Sequence, residues 1–230
     1  MKDLSRLEKT LGFSFQNKDL LKQSLVHRSY LNEHPGFALG HNERLEFLGD
    51  AVLELVVTKH LYAEFPDESE GVLTNWRASL VKSERLAEMA DELKLNDFLY
   101  LSRGESKDTN SKARRYILAN AFESVIGALY LDQGFEAAER MLQQFLLPKL
   151  KHILQNHLYL DPKSLFQEKS QEIEGITPHY KVLSEDGPDH AKQFVIGVYL
   201  KDVCVASGTG ASKQEAEESA ARAALKVKEW

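Results

Sequence analysis

Between His41 and Val57 the chain reads HNERLEFLGDAVLELVV, a helical run that is apolar on more than one side and still carries four acids. On a helix, Glu43, Glu46, Asp50 and Glu54 recur at i, i+3, i+7 and i+11, which places them on one narrow stripe. Phe47, Leu53 and Val57 fall on the same side, while Leu45, Leu48, Val52, Leu55 and Val56 fill the opposite one. A helix that is apolar all round is a buried helix, so these carboxylates are expected in or beside protein interior. Buried carboxylates are costly unless paired, protonated or bound to a cation. A metal site accounts for the pattern better than a solvated surface stripe.

The rest of the chain bounds that reading. With 43% hydrophobic and 28% charged residues, 230 residues can build one large domain or two small ones and do not read as disordered. Met1 to Leu21 carries a charge every few residues and no long apolar run, which predicts neither a secretory signal nor a membrane span and leaves the cytoplasm as the expected location. The lone Cys204 cannot form an internal disulfide and reads as a small apolar filler of a strand. A net charge of −6 neither supports nor excludes a polyanionic partner, because the local field at the contact surface is what binds phosphate.

From Leu4 to about His157 helical patterns alternate with short polar breaks, and no segment sustains period-two alternation, which predicts an all-α domain over residues 1–157. Its last two long helices are expected at Tyr116–Leu131 and Phe135–His157, either side of Gly134, and Arg103–Ser111 reads as a polar loop. At Asp161 the character changes. Asp161-Pro162 is an N-cap followed by proline at the first helical position, opening a helix to about Glu174. Three strands follow, Tyr180–Ser184, Phe194–Leu200 and Val203–Ala206, and an alanine-rich helix runs from Ser212 to about Val227. Residues 161–230 are thus expected to form a small α+β domain of order α-β-β-β-α, so that the chain is multidomain.

A second polar pair, Asn120 and Glu123, are i, i+3 neighbours on the Tyr116–Leu131 helix, with Gly127 one turn on. Gly127 leaves room for a neighbouring helix or for a ligand. Two helices, each offering oxygen ligands from one face, suit a hard divalent cation such as Mg²⁺. No Glu-x-x-His motif or Cys/His cluster points instead to a di-iron or zinc site.

The segment Glu43–Asp50 resembles the signature of ribonuclease III, the endonuclease of double-stranded RNA. Leu25-Val26-His27-Arg28-Ser29-Tyr30, Glu70-Gly71, Arg77-Ala78-Ser79-Leu80-Val81 and the C-terminal α-β-β-β-α module extend the resemblance over nearly the whole chain. It implies an all-α ribonuclease III endonuclease domain followed by a double-stranded-RNA-binding domain. It also implies metal ligands at Glu46, Asp50, Asn120 and Glu123, with Asp50 and Glu123 catalytic and Glu43 and Glu70 as accessory acids. The cofactor would be Mg²⁺, for which Mn²⁺ could substitute. The family carries Asp where this chain has Asn120, and an amide oxygen can still bind a cation but brings no charge and cannot act as a base. The products would carry 5′-phosphate and 3′-hydroxyl ends, and a symmetric homodimer would cut both strands. Phe47, protruding on the acid face, would then be buried at the dimer interface; packing within its own subunit is the alternative.

In the second module Ser164, Gln167, Glu168 and Gln171 form a polar stripe suited to the 2′-hydroxyls of the A-form minor groove. By resemblance His190 would reach the next minor groove. Ser212-Lys213-Gln214-Glu215 reads as a capping box whose helix start, with Lys213, would bind phosphate. The family usually offers a second lysine where this chain has Gln214, which weakens the clamp. The chain is accordingly expected to hydrolyse double-stranded RNA, processing ribosomal-RNA precursors and structured mRNA. A non-catalytic RNA-binding or ribosome-associated protein of the same architecture, favoured only by Asn120, is the alternative.

Overall fold

A computed structural model describes residues 2–109, 111–188 and 192–230. The chain divides into two compact units, Met1–Tyr159 and Leu160–Trp230.

The first unit is helical: α1 (Leu4–Leu11), α2 (Lys18–Ser24), α3 (Arg28–Glu33), α4 (Glu43–Glu64), α5 (Glu70–Val81), α6 (Ser83–Glu92), a 3₁₀ turn (Leu95–Phe98), α7 (Arg103–Lys107), α8 (Lys112–Gln133), α9 (Phe135–Phe145) and α10 (Lys149–Gln155). Starts follow local chemistry. Asp3, Asn17, Ser69 and Ser111 each accept a backbone N–H of the first turn, satisfying donors that have no partner within the helix. Helix α8 is the axis of the core: Ile117, Leu118, Ala121, Phe122, Val125, Ile126 and Leu129 are all buried, packing against α4, α6, α2 and α9. From α4 come Leu45, Val52, Leu53, Val56, Val57 and Leu61.

Two expectations fail here. Phe135–His157 is not one helix, since the chain breaks at Leu146 and restarts after Pro148 as α10. Proline lacks an N–H and its ring collides with the preceding turn, so the break was written in the sequence. The polar loop 103–111 also contains a short helix, α7, started by Ser102 Oγ accepting from the Glu105 N–H at 3.2 Å.

The second unit is α11 (Pro162–Glu174), β1 (His179–Asp186), β2 (Gln193–Leu200), β3 (Val203–Gly210) and α12 (Lys213–Lys228), with an antiparallel sheet of order β1-β2-β3. The α-β-β-β-α order matches the expectation. Phe194, Ile196, Val198 and Leu200 alternate onto the helix-covered face. A methyl group on Gly208 would lie 2.1 Å from the Ala220 nitrogen, so β3 and α12 touch through backbone, with Ala216, Ala220, Ala221 and Ala224 supplying the flat side. On α11 Phe166 is buried, whereas Ile173 is exposed. Cys204 is exposed too and does not fill the core, because its bulged register with Tyr199 puts it on the outer sheet face. No described helix is long and apolar enough to cross a membrane.

Candidate active site and RNA-binding surface

Helices α4 and α8 cross at two glycines. A methyl group on Gly49 would lie 1.8 Å from the Glu123 carbonyl oxygen, and one on Gly127 would lie 2.2 Å from that of Leu45. Ser124 Oγ donates to the Asn120 carbonyl at 2.7 Å within α8 and also lies 3.4 Å from the Asn42 carbonyl at the start of α4. This contact sets the acids of one helix against the polar pair of the other. Helix approach is therefore what Gly127 serves. Gly49 is its counterpart, which the sequence reading left without a role, although a lone glycine inside an apolar helix is itself a signal of close packing.

Glu46, Asp50, Asn120 and Glu123 meet at this crossing. Burial raises the Glu46 carboxyl above the usual range, the charges of Glu43 and Asp50 raise it further, and a hydrogen bond from Asn120 lowers it. Glu123 is pushed up to about 8, first by burial and then by Asp50 and Glu46. The cluster is less buried than the helix pattern implied: Glu46, Asn120 and Glu123 are partly exposed, while Asp50 and Glu43 lie open. Phe47 is 81% exposed and Leu55 56%, so α4 is not apolar-and-buried all round. Glu54 leaves the cluster, pairing with Arg77 of α5 at 2.9 Å.

Glu43 stands at the edge, 3.4 Å from an Arg28 guanidinium nitrogen and 3.7 Å from His41 Nδ1. The sequence reading gave neither partner a role. Glu70 opens α5 and is exposed. It lines a groove of about 570 Å³ between α4 and α5, floored by Leu61, Phe65 and Leu73, and is not among the charges acting on Glu46 or Glu123.

Among the described residues no three His, Cys, Asp or Glu side chains converge closely enough to hold an ion. The donor set itself fits a hard cation: three carboxylates and one amide, all oxygen donors, with no basic group among the charges acting on Glu46 and Glu123. A divalent charge there would oppose the burial and the repulsion from Asp50 and Glu46 that favour the protonated form of Glu123.

In the second unit Ser164 and Gln167 of α11 face Lys213 of α12 across an open groove of about 630 Å³. Glu168 and Gln171 are exposed further along α11, and Gln171 Nε2 donates to Thr177 Oγ1 at 3.1 Å. The Ser164 hydroxyl donates to the capping Asp161 at 2.7 Å. At the start of α12, Ser212 Oγ accepts from the Glu215 N–H at 3.2 Å, and Glu215 reaches back to the Ala211 N–H at 3.0 Å, one residue before the position a standard capping box uses. His190 lies outside the described residues. The groove also holds acids: Lys163 pairs with Glu217 while lying 5.1 Å over the Tyr180 ring. Tyr180 Oη is buried with no hydrogen-bond partner among the described residues, and its ionisation is pushed up to about 12 by burial and by Glu217 and Asp161.

A helical unit with an oxygen-donor cluster, followed by an α-β-β-β-α unit with an open polar groove, has the architecture of a two-domain nuclease. Residues 17–150 match the model of Ribonuclease-III-like proteins, and residues 162–228 match the double-stranded RNA binding motif. The chain is 45% identical over 225 residues to Ribonuclease 3 of Carboxydothermus hydrogenoformans, covering 98% of this chain and 95% of the relative. It is 42% identical over 225 residues to that of Dehalococcoides mccartyi, covering 98% and 94%. The nuclease domain of ribonuclease III from Campylobacter jejuni superposes with a TM-score of 0.56 at 36% identity, covering 64% of this chain and 99% of that one. The chain belongs to the ribonuclease III family, in its bacterial-type form of nuclease domain plus double-stranded-RNA-binding domain, and is an endoribonuclease.

Proposed function

We propose that this endoribonuclease hydrolyses double-stranded RNA at the α4–α8 crossing, with Glu46, Asp50, Asn120 and Glu123 holding Mg²⁺, or Mn²⁺ in its place. The observation that carries this is the convergence of the four oxygen donors at the helix crossing, where burial and neighbouring acids raise both Glu46 and Glu123 and, among the described residues, no basic group acts on either. When bound, a divalent ion supplies an acidified water and charge neutralisation at the phosphate. The protein's own part is positional. The Gly49–Gly127 contact fixes the two helices, and Asn120 donates to Glu46, partly offsetting the burial and acid charges that raise it. Asp50, exposed where Glu46 and Glu123 are only partly so, is open to an incoming phosphodiester. Glu43, held beside Arg28 and His41, sits where the flanking strand would pass.

The C. jejuni structure is described as having a flexible region involved in dimer formation. Here Phe47, Leu55 and Tyr62 stand exposed along α4, and the α4–α5 groove beside Tyr62 has an apolar floor and room for an aromatic ring. A homodimer can bury Phe47 there, which would bring Glu70 of each groove to the other subunit's acid face. RNA is held through Ser164, Gln167, Glu168, Gln171, His190, Ser212 and Lys213, in residues 161–230, with the nuclease domain at 1–157. The setting is the cytoplasm, and the substrates are ribosomal-RNA precursors and structured mRNA. No feature of the geometry favours the non-catalytic alternative. Incubating the protein with a long RNA duplex, with and without Mg²⁺, tests the reading: metal-dependent cleavage to 5′-phosphate ends is expected, and intact duplex at every metal concentration would leave only binding.

A further inference from the structure

Helix α8 continues beyond the acid cluster toward its own N-terminus. Lys112, Tyr116, Asn120, Glu123 and Gly127 recur at helical spacing, so they share one stripe. Tyr116 lies one turn, about 6 Å, before Asn120, and Lys112 lies about 6 Å further on. The stripe opens progressively. Gly127 is buried, Glu123 and Asn120 are partly exposed, Tyr116 is 48% exposed and Lys112 is exposed.

Their neighbour Arg115 is engaged in the fold, donating to the Glu84 carbonyl at 3.1 Å and lying 3.6 Å from Asp91. Lys112 and the Tyr116 hydroxyl have no such anchor: among the described residues neither enters an ion pair or a side-chain hydrogen bond. Both border a notch of about 40 Å³ whose far wall is Ser83 and Glu84 at the start of α6. A free ammonium and a free phenolic donor, both exposed and in line with the cluster, match the phosphates of a nucleic-acid strand, which are contacted without regard to sequence.

We propose that Lys112 and Tyr116 form a backbone subsite for the cleaved RNA strand next to the scissile bond. Lys112 meets a phosphate by charge, and Tyr116 donates its hydroxyl to a phosphate oxygen one helical turn from the cluster. The proposal rests on cleavage taking place at Glu46, Asp50, Asn120 and Glu123. Tyr116 and Lys112 are positioning residues in this scheme: they set how the strand crosses the cluster and take no part in the reaction itself.

The test uses the full chain and one RNA duplex. In chelator, where no cleavage competes, affinity is measured across a salt series for the parent and for Lys112→Gln. The slope of log affinity against log salt should fall in magnitude by about one, the signature of a lost phosphate contact. In Mg²⁺, Tyr116→Phe should raise KM roughly three- to tenfold with kcat nearly unchanged, the scale of one hydrogen bond. Both side chains are exposed and neither change alters packing, so thermal melting should match the parent. An unchanged slope for Lys112→Gln together with an unchanged KM for Tyr116→Phe overturns the subsite. Failure of the cluster assignment would show differently, as normal cleavage by Glu123→Gln, and would leave the salt slopes untouched.

Discussion

Gly49 and Gly127 lie against each other at the crossing of α4 and α8, where a methyl group on Gly49 would come 2.9 Å from the Gly127 nitrogen and 1.8 Å from the Glu123 carbonyl oxygen. The atoms met are backbone and cannot rotate away, so the helices would have to separate. Gly49→Ala should cost about 3 kcal/mol or more, as overpacking of a closed contact does, and should abolish cleavage even where the chain still folds. Denaturant unfolding and a cleavage assay check both parts. A stable, active alanine variant would show that the crossing is looser than described.

Glu123→Gln should stop cleavage and leave duplex affinity nearly intact, because the groove of the second unit is untouched. It should also stabilise the metal-free protein at pH 8. Glu123 is raised from 4.5 to about 8 in the fold, so the folded state binds its proton more tightly than the unfolded chain does. That contribution is complete below about pH 4.5 and is lost as pH climbs to about 8. A neutral Gln removes the loss, and melting in chelator at pH 5 and pH 8 should show the variant gaining a few degrees over the parent only at the higher pH.

Asn120→Asp should lower the Mg²⁺ concentration needed for half-maximal cleavage. The change removes the hydrogen bond that Asn120 gives Glu46 and adds a negative charge to a cluster already under mutual repulsion. Without metal the variant should melt lower than the parent. With a divalent ion the added charge becomes attraction. A Mg²⁺ titration on one duplex decides it, and an Asp form that needs as much metal as the Asn form would remove Asn120 from the ion.

Glu217→Gln should tighten RNA binding. Lys163 of α11 is paired with Glu217 and held over the Tyr180 ring, which keeps a positive charge of the binding groove from phosphate. Released, it should add about one phosphate contact and steepen the salt dependence accordingly. Gel-shift titrations at two salt concentrations measure this, and an unchanged affinity would mean that Lys163 points away from bound RNA.

Removing everything after Leu160 should leave a folded, dimeric nuclease that cuts at low salt and loses affinity as salt rises. The first unit has a core of its own around α8, and the second a separate one around Phe166, Val198 and Ala220. Sedimentation and cleavage at two salt concentrations test it. A monomeric or unfolded product would remove both the domain division and the dimer.

Periodicity alone was enough to separate an all-α region from the α-β-β-β-α region, since the 3.6- and two-residue patterns are local properties of the chain. Spacing also put Glu46 with Asp50 and Asn120 with Glu123, because neighbours on one helix face follow from helix geometry. The break at Pro148 was legible but outweighed by the apolar pattern on either side of it. What spacing could not supply was anything depending on two segments at once. Whether Glu54 belongs to the acids or to Arg77 depends on where α5 lies, and Cys204 faces outward because of a strand bulge. Burial was the least legible quantity: an all-round apolar α4 implied sunken acids, yet its Phe47 and Asp50 stand in the open. Sequence determined which residues share a face. Only the backbone contact of Gly49 with Gly127 decided that the two faces meet, so that the α4 acids raise Glu123 and Asn120 reaches Glu46, because electrostatic coupling depends on distance through space and not along the chain.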